Sequence, residues 1–381
     1  MRIGIVAGEL SGDQLGASLV KELKKTYPDA IIEGIGGPKM VANGFNTLYP
    51  MEALSVIGFF EVLSKGIQIL NIRRKVINHF KENKPDIFIG IDAPDFNLTV
   101  EKKLRQARIR TVHYVSPKIW AWREYRIKKI KEATDTILAI LPFEEEYYRT
   151  RHNFKAVFVG HPLAKAIPLE IDKQKYRKEL GLSLEDTILA VLPGSRKSEV
   201  TKLLPVFLDA LDKLKKDGYK YKAVIPIAKP SLRSIFEEYK EKINILPIII
   251  YEGHSHEILK ASDFCLLSSG TATLETMLCK LPMVVGYKLS KVSAFLARLL
   301  VKGKHSYFAF PNILSGKEII SELIQEDFTV EKVLFQLKRL FDDDARNKRI
   351  VSEFHEIHKK MIVDTDIKIV EEVQKLLSST C

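Results

Sequence analysis

Ile3-Gly4-Ile5-Val6-Ala7-Gly8-Glu9-Leu10-Ser11-Gly12-Asp13, followed by the helically spaced Ala17-Ser18-Leu19-Val20-Lys21-Glu22-Leu23, decides the fold. The short apolar run reads as a strand buried on both faces, and the glycine-punctuated turn hands the chain to a helix. Residues 31–35, 87–91, 111–115 and 136–140 repeat the strand, with helical stretches between them. Such alternation predicts a parallel sheet covered on both faces.

The pattern restarts at Thr187-Ile188-Leu189-Ala190-Val191-Leu192, which runs into Pro193-Gly194-Ser195-Arg196 and then a helix over 200–214. Further strands are expected at 222–227, 248–251, 264–267 and 283–287. The fold class is therefore α/β: two Rossmann-like doubly wound domains facing a cleft. The join falls near 160–169, where His161-Pro162 and Pro168 interrupt regular structure. The last fifty or so residues read as helices over 330–341, 344–363 and 366–377. The expected division is 1–165, completed by about 346–381, and 166–345.

Composition bounds the rest. A chain of 381 residues, 46% apolar and 28% charged, is an ordinary globular balance for two domains. No apolar run reaches the ~18 residues of a membrane span. The N-terminal apolar stretch is too short for a signal peptide, so a cytoplasmic location is expected. Cys265, Cys279 and Cys381 form no C-x-x-C pair, which argues against a disulfide framework or zinc ribbon. A net charge of +12 favours an anionic partner.

Ligands of doubly wound sheets sit beyond the carboxyl ends of the strands, so the motifs there carry the chemistry. Ser268-Ser269-Gly270-Thr271-Ala272-Thr273-Leu274-Glu275 runs from a strand into a helix whose free N–H groups suit a phosphate, or which is plainly capped. Glu275 is placed to hold ribose hydroxyls. Gly194 permits close backbone approach, Ser195 can donate to phosphate or cap the helix, and Arg196 can fork onto a diphosphate. In Ile91-Asp92-Ala93-Pro94-Asp95-Phe96-Asn97, either carboxylate suits a base that takes a hydroxyl proton; an Asx turn explains the same residues. His113 ends the next strand. Gly8, Gly12 and Gly16 are spaced neither as G-x-G-x-x-G nor as a P-loop, which argues against a dehydrogenase despite Glu33 near the ribose-acid position. His355-Glu356-Ile357-His358 has the wrong spacing for H-E-x-x-H, and no bound metal or other cofactor is expected.

Residues 54–70 carry only Glu61 and Lys65 as charges, and Phe59, Phe60, Val62, Leu63, Ile67, Ile69 and Leu70 wrap most of a helix. Arg73-Arg74-Lys75 follow at once. This is either a core helix or an apolar patch that, beside cations, holds an anionic membrane. Residues 102–131 add eleven Lys or Arg against one acid, Glu124, with Trp120 and Trp122 among them. No stacking platform repeats there, so nucleic acid is not the expected partner.

Taken together the strings are specific. Ala7–Asp13, Gly90–Asn97, His113–Trp122, Leu192–Arg196, Ser269–Glu275, Met283–Tyr287 and Pro311-Asn312 keep the order found in lipid-A-disaccharide synthases, and the chain resembles that family over nearly its whole length. The resemblance implies a two-domain GT-B glycosyltransferase of Gram-negative lipid A synthesis. It implies a metal-independent, inverting transfer from UDP-2,3-diacylglucosamine to 2,3-diacylglucosamine 1-phosphate, on the cytoplasmic face of the inner membrane. For that chemistry Asp92 is the candidate base and Asp95 the second candidate, and the sequence leaves the choice between them open. Gly194, Ser195, Arg196, Ser269, Gly270, Thr271, Glu275 and Asn312 then hold the donor. Glu9, Ser11, Gly12, Asp13 and His113 lie on the acceptor side. Two departures are visible: Ala309 stands where the family often has serine, and Lys118 where a small polar residue is common. An epimerase-like enzyme acting on a UDP-sugar and a non-catalytic lipid-binding protein are the rival readings. Acyl length and oligomeric state are not encoded in any motif.

Overall fold

A computed structural model describes residues 1–54, 59–121, 123–288 and 307–378, with the backbone alone over 59–65. Two compact units emerge, Met1–Lys165 with Met361–Cys381, and Ala166–Lys360. In the first, β1 (Arg2–Ala7), β2 (Ile31–Ile35), β3 (Asn46–Thr47), β4 (Ile87–Ile91), β5 (Arg110–Tyr114), β6 (Thr136–Ala139) and β7 (Ala156–Phe158) form one sheet ordered β3-β2-β1-β4-β5-β6-β7. In the second, β8 (Ile188–Leu192), β9 (Lys222–Ile227), β10 (Ile248–Glu252), β11 (Phe264–Ser268), β12 (Met283–Tyr287) and β13 (Ser321–Ile324) are ordered β10-β9-β8-β11-β12-β13. Every described pairing is parallel. Both units are thus Rossmann-like, each with its strand order reversing beside its first strand.

The alternation along β1 and β4 shows why these runs are strands. Ile3, Ile5, Ile87 and Ile89 face one core with Leu19 and Leu23 of the helix Leu10–Thr26, while Val6 and Phe88 face the other with Val76, Phe80 and Leu104. Each such buried side chain contributes about 1.5–3 kcal/mol of apolar burial. Gly4 leaves room for two rings: a Cβ there would lie 2.9 Å from Phe88 and 3.0 Å from Phe80. In the second unit, Val191, Ala223 and Leu266 meet Leu204, Phe207 and Leu211 of the helix Lys197–Lys216.

The C-terminal helix Thr365–Ser378 returns to the first unit, burying Ile369, Val370 and Val373 in the Leu19–Leu23 core. Ser18 Oγ donates to Asp366 across that contact at 3.0 Å. The return begins at Met361 rather than near 346. The helix Asp344–Met361 buries Ile350 and Phe354, and residues through Lys360 belong to the second unit.

The apolar helix expected over 54–70 is the helix Phe59–Glu82. The side chains of Phe59, Phe60, Val62 and Leu63 lie outside the described residues. Ile72, Val76 and Phe80 form its inward face. Ile69 packs on that core as well, so it is not an outward residue. Ile67 and Leu70 face out, 78% and 54% exposed. Among the described residues no helix is long and apolar enough to cross a membrane.

Candidate active site

At the reversal of the first sheet, β1 and β4 run out side by side, with Ala7 opposite Ile91. The chain turns at Gly8-Glu9 on one strand and Asp92-Ala93 on the other. Asp92 and Ala93 both adopt left-handed backbone, with φ of 49° and 43°. For residues with a Cβ this costs of order 1–2 kcal/mol each, and it persists only where the surroundings hold it. Asn97 holds it: its amide donates to Val6 O at 3.2 Å, Ile91 O at 3.2 Å and Asp92 O at 2.9 Å, tying both strand ends to the turn. Asp92 N–H donates to Tyr114 O at 2.8 Å. The Asp92 carboxyl is left half-exposed on a cavity of about 450 Å³ shared with Gly8, Glu9, Leu54, Arg73 and Asp95.

Beneath the turn lies a buried pair. His113 Nδ1 and Glu101 Oε1 are 2.8 Å apart, both side chains fully enclosed. Burial pushes the Glu101 carboxyl up, against the pull of His113. A Cβ on Gly90 would sit 2.0 Å from Glu101 Oε1, so the strand needs glycine where the pair packs under it. His113 is fully enclosed and presents no surface to an acceptor.

The other acceptor-side residues divide. Glu9 and Ser11 are exposed at the start of the helix Leu10–Thr26. Gly12 is buried, and a Cβ there would lie 3.2 Å from Ala7. Asp13 is buried and accepts from Gly37 N, Lys39 N and Met40 N at 2.9, 3.1 and 3.0 Å, capping the helix Pro38–Val41. It is a structural carboxylate. Asp95 is exposed, but Arg126 Nη2 donates to its Oδ1 at 2.8 Å. That pairing suits a counter-ion better than a free base. Glu33 sits mid-strand in β2, bound by Arg2 and by His79 at 3.0 Å, with no strand end to offer a ribose.

In the second unit the strand ends of β8 and β11 emerge at the corresponding reversal. Gly194 has φ +124°, and a Cβ there would lie 2.6 Å from Glu199 Oε2. Glu199 reaches back from the helix Lys197–Lys216 to accept from Ser195 N at 3.3 Å and Arg196 Nη1 at 2.9 Å. The turn is thus preformed, with Ser195 and Arg196 outward. On the neighbouring strand, Gly270 and Thr271 are exposed ahead of the helix Ala272–Leu278, and Thr273 Oγ1 closes the turn by donating to Gly270 O at 2.7 Å. Ser269 Oγ donates to Phe308 O at 3.4 Å. Glu275 stands 3.4 Å from His256 Nδ1; burial raises its carboxyl and His256 opposes the rise.

Asn312 departs from its expected role. It is fully buried. Its Nδ2 donates to Ile320 O at 2.9 Å and Glu322 Oε1 at 2.7 Å, and its Oδ1 accepts from Ile319 N and Ile320 N. All its polar capacity is used inside the chain, and none remains for a donor sugar. Ala309, where a serine was noted as common, is itself buried at the start of the helix Phe310–Ser315.

The chain's sequence and its fold have counterparts among known proteins. The family model described as lipid-A-disaccharide synthetase matches residues 3–373. The chain belongs to the lipid-A-disaccharide synthase family. Lipid-A-disaccharide synthases of Francisella philomiragia and Francisella tularensis are 68% and 66% identical to it, each over the full length of both chains. A glycosyltransferase from Rickettsia africae superposes with a TM-score of 0.62 at 14% identity, covering 100% of this chain and 99% of its own. A UDP-GlcNAc 2-epimerase from Neisseria meningitidis, bound to UDP-GlcNAc, gives 0.62 at 13% identity, covering 98% of this chain and all of its own. These two structures share the fold. The family membership makes this chain a glycosyltransferase, and the epimerase-like and non-catalytic readings are not favoured.

Four residues that shape the site were not singled out from sequence: Asn97, Glu101, Glu199 and His256. Each acts through a partner distant in sequence or on the next turn. Only Glu199, one turn after Ser195 at a helix start, carries a local signal.

Proposed function

We propose that this glycosyltransferase joins UDP-2,3-diacylglucosamine to 2,3-diacylglucosamine 1-phosphate, giving the β-1,6-linked disaccharide 1-phosphate and UDP. The observation that carries the reading is the Asp92 turn. It is a carboxylate on a strained turn, locked by Asn97 at the mouth of a cavity. In the proposed step Asp92 accepts the proton of the acceptor's 6-hydroxyl as that oxygen bonds to the anomeric carbon. The bond from that carbon to the diphosphate breaks on the opposite face, which inverts the centre. The leaving group takes the electron pair and needs positive charge rather than a proton. Arg196, the outward Ser195 hydroxyl and the N–H groups at Gly270–Thr271 suit that anion, and Glu275 suits the ribose.

Both substrates are acylated, and exposed Ile67 and Leu70 beside Arg74 and Lys75 suit adsorption to an anionic bilayer from its cytoplasmic side. The reaction is expected to run with EDTA present. The test supplies both acylated substrates in detergent micelles with EDTA and follows UDP and disaccharide. Stoichiometric disaccharide and UDP support the reading. UDP release without disaccharide, or conversion of the UDP-sugar without acceptor, contradicts it.

A further inference from the structure

We propose that Arg73, Arg126 and Lys129 form a subsite for a phosphate monoester beside the Asp92 turn, and that its occupant is the phosphate of the acceptor. The second half of this statement rests on the function proposed above.

Three separate elements bring the cations together. Arg73 comes from the helix Phe59–Glu82, Arg126 from the turn Glu124–Arg126, and Lys129 from the helix Ile127–Ala133. They converge on Asp95 in the first turn of the helix Pro94–Gln106. Arg73 Nη1 donates to Asp95 O at 3.4 Å, and Arg126 Nη2 to Asp95 Oδ1 at 2.8 Å. All three are partly buried, unlike their neighbours Arg74 and Lys128, which are exposed.

The charges do not balance. Asp95 is the carboxylate that answers the three, and its side chain is 77% exposed. Glu132, nearby, is engaged by Lys102. Glu101 turns to His113. Among the described residues Lys129 makes no ion pair within 4.0 Å. Burial, with repulsion from Arg126 and Arg73, lowers the Lys129 ammonium, while Asp95 and Glu101 only partly oppose it. A bound dianion would reverse that repulsion. A phosphate monoester carries about −1.5 to −2 charges at pH 7, matching the surplus, and forked guanidinium donors fit its oxygens.

Space is present as well. Asp95 lies in the wall of two cavities. One, of about 450 Å³, holds Arg73 and Asp92; the other, of about 410 Å³, holds Arg126, Lys129 and Tyr125. A group seated on the cations therefore belongs to the same region as the base. On the reading above, the donor's diphosphate is assigned to the Ser195–Arg196 and Gly270–Thr271 turns of the second unit, not to these cations.

The experiment has a binding arm and a turnover arm. Binding of unacylated glucosamine 1-phosphate, followed by 31P NMR, is compared for the intact chain, Arg126→Gln, Lys129→Gln, Arg126→Lys and Asp95→Asn. Each Gln variant is expected to bind about tenfold or more weakly, the loss of one charge-assisted hydrogen bond. Arg126→Lys retains part of the affinity, and Asp95→Asn, which removes the competing carboxylate, binds more tightly. That increase cannot come from misfolding. In turnover, Lys129→Gln lowers kcat/KM for the phosphorylated acceptor, chiefly through KM, and leaves the acceptor lacking its phosphate within about twofold. Equal binding by all five proteins overturns the subsite. An equal fall for both acceptors overturns it too. If the Gln variants lose binding to phosphatidylglycerol vesicles while acceptor selectivity is unchanged, the cations serve a headgroup and the assignment to the acceptor fails. If sugar-phosphate binding follows the cations but no disaccharide forms with any acceptor, the subsite stands and the proposed reaction fails.

Discussion

Removing the Asn97 amide should loosen the Asp92 turn and unfold the first unit earlier. Asn97→Ala takes away two N–H protons shared among Val6 O, Ile91 O and Asp92 O. Two net hydrogen bonds of about 0.5–1.5 kcal/mol each, with a small cavity at a fully buried position, give a loss of about 2–4 kcal/mol. For a unit of roughly 150–250 residues each kcal/mol moves the midpoint by about 2–4 °C, so calorimetry should show a drop of about 4–16 °C in one of the two units. Well below that midpoint, disaccharide formation should still fall by about 10–100-fold, because Asp92 is no longer held and small misplacements of a reacting group weigh heavily. Affinity for UDP, measured by calorimetric titration, should not change. A midpoint within about 1 °C of the parent, or full activity in the destabilised variant, would refute the idea that Asn97 clamps the turn.

Glu144 predicts a pH signature. Burial raises its carboxyl to about 7 from 4.5, against the Trp120 indole and Leu141 N–H that it accepts from. A raised acid contributes stability that is present below its unfolded pKa and is lost as pH rises through the folded value. Stability should therefore fall by about 3 kcal/mol between pH 4.5 and 7 on this account, the weight of such a shift, and urea titrations should show Glu144→Gln flattening that slope even though its absolute stability is lower. Gly194→Ala forces a Cβ into a left-handed position 2.6 Å from Glu199 Oε2, so it should displace Glu199 and raise the apparent Kd for UDP about tenfold, read by calorimetric titration. Ile67→Ser with Leu70→Ser should leave the melting midpoint unchanged, since both are exposed, while weakening sedimentation with phosphatidylglycerol vesicles.

Much of this was legible in the residues. The runs at 31–35, 87–91, 222–227 and 283–287 are strands at those bounds, because short segments rich in Ile and Val, too brief for a helical period, leave few alternatives. β3, β7 and β13 were not foreseen: they are edge strands of two to four residues, too short for a periodic signal. The long apolar stretch was ambiguous for a physical reason. Its helix has an inward face at Ile69, Ile72 and Val76 and an outward Ile67 and Leu70, and apolar residues stand on both. Within the site, strand-end position marked Asp92 and Arg196, which do face outward. The same cue misjudged Asp13, His113 and Asn312. A polar residue at a strand or helix end caps backbone as readily as it meets a ligand, and only their partners tell the two apart.

The most direct test is single-turnover kinetics of Asp92→Asn with both acylated substrates. The variant keeps the shape of the turn and loses the proposed base. Disaccharide formation should fall by about 10²–10⁴-fold with UDP affinity and melting midpoint unchanged. An Asp92→Asn protein that forms disaccharide within a few-fold of the parent rate would contradict the account at its centre.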